Sequence, residues 1–192
     1  VSISLVVGLI LGSVAGYFGG IVDDLIMRFS DILASIPTLL LGMVIVTVLG
    51  QSLPNLILAV GVTAIPEFTR ITRSSVLVVR NQEFVEAATA IGMSHLSIIF
   101  SQVIPNGLSP IIVTVTSRIG AAIIEAASLS FLGFGIPVPH PEWGLLVSEG
   151  RNYIRTAPNL TYFPGLFIMI TVFAFNILGD GLRDALDPKL KK

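Results

Sequence analysis

The 192-residue sequence contains no cysteine, which excludes a disulfide framework, a thiol nucleophile and any cysteine-based metal site. Charge is nearly as scarce. Asp, Glu, Lys and Arg make up 12% of the residues and net to −1, so the balance gives no reason to propose nucleic acid as a partner. No Gly-x-x-x-x-Gly-Lys stretch is present to cradle phosphate, so the chain carries no recognisable nucleotide site. The first apolar run lacks the basic leading region and small-residue cleavage pattern of a secretory signal. Only two histidines occur, His95 and His140. The topology derived below puts them on opposite sides of a membrane, each as a loop or interfacial residue, so they form neither a metal pair nor a catalytic pair. With no Ser-His or paired-carboxylate arrangement on one side, an intramembrane hydrolase is disfavoured. The expectation is a non-enzyme with no cofactor and no metal.

What the chain has in abundance is apolar surface. Hydrophobic residues make up 53% of it and the mean hydropathy is +0.90, far from a soluble domain. The fold expected is all-α, a polytopic membrane helix bundle. Spans are read at about 2–17, 32–49, 54–65, 110–130 and 160–178, of which 110–130 is long enough to cross a bilayer at ~1.5 Å per residue. Gly8, Gly12, Gly16 and Gly20 recur four apart and give the first span a face that another helix can approach closely. Gly19-Gly20 ends that span, and Asp23, Asp24, Arg28 and Asp31 fill a polar connection. Pro37 is expected to kink the second span, and Gly50-Gln51-Ser52 to turn the chain. Beyond Pro66, Arg70, Arg73 and Arg80 among apolar residues suggest that the third span continues as an amphipathic helix. The interval 131–158 is rich in Gly and Pro, with a short interfacial helix expected within 142–155 and Trp143 at headgroup depth.

The longest central interval too polar for a bilayer is 81–105. Asn81 is expected to cap a helix of about three turns, with Glu83 in the first turn where the dipole favours negative charge and Gly92 at its end. Phe84, Ala88 and Ile91 give it an apolar stripe, and Ala87, Ala88 and Ala90 keep it thin enough for a groove on another protein. Ser94 starts a second short helix that Pro105-Asn106-Gly107 breaks, and Ser109-Pro110 starts the fourth span.

The order Glu86-Ala87-Ala88, three residues, Gly92, then an apolar run closing on Pro105 resembles the Glu-Ala-Ala loop of permease subunits of binding-protein-dependent ABC importers. Gln102 and Ile104 depart from that loop's later Ile-x-Leu-Pro. Further motifs resemble the dipeptide, oligopeptide and nickel branch. These are Ala15-Gly16-Tyr17-Phe18-Gly19-Gly20 with Asp23; Met27-Arg28 and Asp31; Arg70 with Arg73; Glu83 to Ala88; Leu129-Ser130-Phe131-Leu132-Gly133; Trp143-Gly144; Pro164-Gly165; and Asn176 to Asp184 closing on Asp187-Pro188. The resemblance implies a C-type permease that pairs with a second permease subunit, two ABC ATPase subunits and an extracytoplasmic solute-binding protein in the cell membrane. It implies that Glu83, Glu86, Ala87, Ala88 and Gly92 form the ATPase-coupling helix within a coupling region of about 81–105. Residues 1–192 are read as one transmembrane permease domain, five spans of an expected six. The start at Val1 within an apolar run is read as an N-terminally incomplete chain.

Basic residues set the orientation. Arg70, Arg73 and Arg80 flank the coupling region, and Arg183, Lys189, Lys191 and Lys192 follow the last span, so both are expected on the cytoplasmic side. In the fourth span Arg118 and Glu125 share one helix face, but lie about 10 Å apart along the axis, long for direct contact. They either pair with polar groups on neighbouring helices or line a translocation path that meets a zwitterionic peptide. Asn176 is expected to make an interhelical hydrogen bond. The resemblance points to di- or oligopeptide import driven by ATP on the partners, with nickel, glutathione or sugar as alternative cargoes within the family. An ion-gradient-driven carrier is the alternative of a different class.

Overall fold

A computed structural model describes residues 1–186, and every regular element among them is helical. The expected Asp187-Pro188 motif and the basic Lys189, Lys191 and Lys192 lie outside the described residues. The helices are α1 (Ser2–Phe18), α2 (Gly20–Ser35), α3 (Thr38–Leu49), α4 (Leu53–Thr63), α5 (Ile65–Arg80), α6 (Glu83–Ala90), α7 (His95–Ile98), α8 (Ile104–Phe131), α9 (Trp143–Gly150) and α10 (Asn159–Leu186). A π turn, Ile99–Val103, joins α7 to α8, and a single 3-10 turn, Arg151–Tyr153, follows α9. Among the described residues two stretches are long and apolar enough to cross a membrane, His95–Phe131 and Asn159–Ala185. The broken pair α2 and α3 makes a third if it is one span, and α1 and α4 are shorter apolar helices. On α10, Phe163, Phe167, Met169, Ile170, Phe173 and Ile177 are all half exposed or more. The described residues leave this apolar side of α10 uncovered.

The chain divides into two compact units. One contains Ser2–Ser35 and Ala64–Val115. Its organising contact is α1 against α5, and glycine makes it possible. A Cβ built on Gly8 would lie 2.4 Å from Cβ of Phe68, one on Gly12 would lie 2.5 Å from the Thr69 carbonyl oxygen, and one on Gly16 would lie 2.9 Å from that of Arg73. The expected small-residue face is therefore real at three positions. Gly20 is outside it, with φ +54 and nothing near its missing Cβ.

The stretch expected to be a polar connection is helix α2. Asp23 and Asp31, two turns apart, face α5, while Ile21, Leu25 and Phe29 occupy the other side, so the charges belong to one face of an amphipathic helix. Asp23 accepts two hydrogen bonds from the guanidinium of Arg73, and Asp31 accepts one from Arg70 at 2.7 Å. At Pro37 the helix ends outright, in place of the expected kink. α2 ends at Ser35, and Pro37, at φ −52 and ψ 130, caps α3, because a residue before proline is pushed away from helical geometry. α4 likewise stops at Thr63 and α5 begins afresh at Ile65, with Pro66 in its first turn where the absent N–H is harmless.

The expected break at Pro105-Asn106-Gly107 is absent. The π turn absorbs it: the Ile104 N–H reaches back five residues to the Ile99 carbonyl, and Asn106 Nδ2 donates to the Gln102 carbonyl at 2.6 Å. Gly107 sits against Ser75, whose Oγ donates to its carbonyl at 2.6 Å. Pro110 is then inside α8, not at its start.

The other unit contains Ile36–Thr63 and Thr116–Gly181. Its core is Val46 of α3, Leu56, Ala59 and Val60 of α4, and Leu129 of α8, with Met43, Ile45, Ala122, Ala126, Phe134 and Ile136 around them. The turn expected at 50–52 is present, and Gln51 Nε2 fastens it to the Gly133 carbonyl at 2.7 Å. The short helix expected in 142–155 is α9, where Trp143 stacks on Phe167 with ring centroids 5.9 Å apart. α10 does not stop at Gly179. That glycine serves close packing, since a Cβ there would be 2.9 Å from Oγ1 of Thr116.

Candidate functional site

The central polar interval forms α6, eight residues long and preceded by Gln82 in an extended conformation. Asn81 caps the C-terminus of α5 and not the start of α6, which shortens the helix expected from sequence to about two turns. Glu83 and Glu86 stand in its first turn, where negative charge meets the positive end of the helix dipole. Its end is as expected. The Ile91 N–H bonds the Ala87 carbonyl at 3.1 Å, the Met93 N–H bonds that of Ala88 at 3.1 Å, and Gly92 between them has φ +82. That conformation, not crowding, selects glycine, because nothing lies near its missing Cβ.

The buried face of α6 is Val85 and Ala88, which join Tyr17, Val76, Val79, Ile98, Ile99 and Val103 in one apolar cluster. The expected stripe of Phe84, Ala88 and Ile91 is corrected accordingly: of the three, only Ala88 points inward. Phe84 is 41% and Ile91 78% exposed. The sequence offered two apolar faces, and packing against α5 and the π turn selects the one containing Val85. Glu83, Glu86, Ala87 and Gly92 are exposed, so four of the five expected coupling residues face outward and Ala88 is the anchor. Ser94 caps α7 as expected, its Oγ accepting from the Ser97 N–H, and α7 with the π turn leaves Leu96 and Phe100 each 66% exposed. Two acidic residues and four large apolar side chains thus project from one short helical hairpin.

The second candidate pair has a different geometry from that expected. Arg118 and Glu125 meet directly, Nη2 to Oε2 at 2.8 Å, with side chains 13% and 7% exposed. The backbone separation of two turns is closed because the long arginine side chain runs along α8 towards the glutamate. Glu125 Oε1 accepts a further hydrogen bond, 2.6 Å long, from Thr63 at the end of α4. The expectation that the two are too far apart for contact is therefore overturned. Thr63 went unrecognised in the sequence because nothing marks a lone threonine as a carboxylate partner. The same holds for the contact between Tyr17 and His95, 3.0 Å long between residues 78 positions apart. On α10, Asn176 faces α8, with its Oδ1 2.9 Å from where a Cβ on Gly120 would be. Among the described residues no group of three or more His, Asp or Glu side chains could hold a metal ion.

Residues 8–192 match the family described as "Binding-protein-dependent transport system inner membrane component". The chain is 48% identical to the dipeptide transport system permease protein DppC of Alkalihalophilus pseudofirmus over 188 residues, 98% of this chain and 62% of that protein. It is 44% identical to the glutathione transport system permease protein GsiD of Pectobacterium atrosepticum over 191 residues, all of this chain and 64% of that protein. It is 49% identical to GsiD of Escherichia coli O6:K15:H31 over 175 residues, 91% of this chain and 58% of that protein. The chain thus spans less than two thirds of the length of these relatives. Its fold is shared with a chain of the MetNI methionine ABC transporter in an inward-facing conformation, with a TM-score of 0.75, 97% of this chain and 88% of the other covered, and 19% identity.

Proposed function

The chain belongs to the family of binding-protein-dependent transport system inner membrane components, and from that premise we propose that it is the permease subunit of an ABC importer, forming the translocation path for di- or oligopeptides. The observation that carries the reading is α6. It is short, thin-sided and acidic at its start, anchored by Val85 and Ala88, and it presents Glu83, Glu86, Ala87 and Gly92 outward with Phe84 and Ile91 beside them. A helix this small keeps so much apolar surface uncovered only where something else covers it. An ABC ATPase subunit is that occupant in our reading, and residues 81–105 are the coupling region of one permease domain, 1–192. ATP binding and closure of two such ATPases would displace α6 and reorient the spans. A second permease subunit and an extracytoplasmic solute-binding protein complete the assembly, with membrane lipid around it. α6 and the C-terminus are on the cytoplasmic side, and the protein performs no bond chemistry of its own.

Peptide cargo is supported by the dipeptide and glutathione permeases among the relatives. Glutathione is itself a peptide, so the two point to one chemical class. For Arg118 and Glu125 the direct, enclosed pair favours a structural role, since each charge already has its partner. Lining of the path by these residues is the second reading, favoured by their position in a span.

The test is uptake by the purified complete complex in sealed vesicles with ATP and no ion gradient. Accumulation of a labelled dipeptide or of glutathione that stops when ATP is withheld is the expected result. Uptake that needs an ion gradient and ignores ATP would instead establish the carrier reading.

A further inference from the structure

Tyr17 is in the last turn of α1, 8% exposed, and it is the only α1 residue in the apolar cluster otherwise built from α5, α6, α7, the π turn and their flanks. Its hydroxyl lies 3.0 Å from Nδ1 of His95, the first residue of α7. The rings of Tyr17 and His95 meet edge-on at 5.7 Å between centroids, and Phe18 meets His95 at 6.0 Å. Arg80, Glu86 and Thr89 line the same cleft, of about 300 Å³. Arg80 is engaged elsewhere, donating to the Gly16 carbonyl at 3.3 Å and so closing the end of α1.

The contact matters because of how these helices are strung together. α5 leads into α6 through Asn81 and Gln82 alone, neither of them helical. The two-residue linker is short, and α6 is further held to α5 because Val85 and Ala88 share an apolar cluster with Val76 and Val79. α1 is locked to α5 through Gly8, Gly12 and Gly16, and Tyr17 fastens the end of α1 to α7. The path from α5 through α6 and α7 to α1 and back to α5 is therefore closed.

We propose that Tyr17 and His95 form the joint that makes α1 follow the α6–α7 hairpin, so that displacement of the hairpin reaches the membrane helices through side chains as well as through the linker at 81–82. The pair positions; it touches no cargo. The proposal rests on the reading of α6 as a docking helix, and its test keeps the two apart.

Because the sequence has no cysteine, a single introduced one is the only label site it contributes, and the partner subunits' cysteines are replaced. Two preparations of the complete complex in lipid vesicles carry a spin label, one at Ile10→Cys on the exposed side of α1 and one at Ala87→Cys on α6. Their EPR spectra are compared with and without a non-hydrolysable ATP analogue and Mg²⁺. The parent is expected to respond at both positions. Tyr17→Phe keeps the ring and the packing, leaves the Ala87 response intact, and reduces the Ile10 response about two- to tenfold, the worth of one net hydrogen bond. His95→Asn, whose amide can either accept from or donate to the Tyr17 hydroxyl, keeps the Ile10 response, whereas His95→Ala reduces it as Tyr17→Phe does. A merely structural ring contact would not separate these two variants. An Ile10 response unchanged by Tyr17→Phe, or absent in the parent, overturns the joint while docking stands. If Ala87 fails to respond in the parent, the docking reading falls and the joint falls with it.

Discussion

Arg118 and Glu125, seven residues apart on α8, meet at 2.8 Å, with Thr63 donating to the second carboxylate oxygen at 2.6 Å. The arrangement satisfies both oxygens of a carboxylate that is 7% exposed in a segment apolar enough to span a bilayer. A charge so enclosed is tolerated only with its partner, which fixes the sign of what mutation does.

Arg118→Ala or Glu125→Ala alone strands the other charge and is expected to destabilise the protein by about 3–5 kcal/mol. The double variant Arg118→Met with Glu125→Leu removes both charges and recovers most of that loss. Unfolding in detergent–lipid mixtures with added dodecyl sulfate measures it. Two single variants each milder than the double one would contradict the pairing account. Uptake by the double variant in a normally assembled complex then decides between structural pairing and lining of the path.

The α1–α5 contact makes a second prediction. Gly8→Ala puts a methyl group 2.4 Å from Cβ of Phe68, where backbone and not a flexible tip must give way, and is expected to cost about 1–3 kcal/mol. Gly165→Ala, in α10 with nothing near its missing Cβ, is expected to be neutral or to stabilise by up to about 1 kcal/mol through helix propensity. The same unfolding assay compares them, and equal effects at the two positions would contradict the packing described.

Glu142, in the loop before α9, gives a pH signature. Burial pushes its carboxyl above the usual range, and the neighbouring Ser130 hydroxyl and Ile136 amide offset this only in part. Oε2 of Glu142 and Oγ of Ser130 are both enclosed without a hydrogen bond, so the serine's relief is slight. Because the folded value is raised, the native state holds its proton more tightly than the unfolded chain. Its contribution is complete below the unfolded pKa and is lost as pH rises through the folded one. Glu142→Gln, uncharged throughout, is expected to flatten the fall in stability across that interval and to raise the unfolding midpoint at neutral pH. An unaltered pH profile would contradict the burial assigned to this side chain.

The spacing of glycines in α1, the polar gap around α6 and the Gly-Pro-rich loop before α10 were legible because each rests on a local rule: close approach, dipole and left-handed turn, chain punctuation. The misreadings share one cause. Pro37 reads as a kink, Pro66 as no obstacle to a continuing span and Pro105 as a break, yet the first ends a helix, the second sits in the first turn of a new helix, and the third is absorbed by a π turn. Which of these occurs depends on where the freed carbonyl finds a partner, and that is set by neighbours distant in sequence. Charges on α2 read as a connection for the same reason, since Asp23 and Asp31 make sense only once Arg70 and Arg73 stand opposite. On α6, composition supplied two apolar faces, and only the packed cluster distinguishes Val85 from Phe84.

The central claim is that the exposed side of α6 docks on a separate ATP-hydrolysing protein. A photoactivatable crosslinker on Ala87→Cys, an outward residue on the otherwise cysteine-free chain, tests it in native membranes, with Val85→Cys as the inward control. The account predicts that the Ala87 adduct contains an ATPase and that the Val85 adduct does not. Adducts from Ala87 that never contain an ATP-hydrolysing protein, or labelling of Ala87 by a membrane-impermeant reagent from outside intact cells, would contradict it.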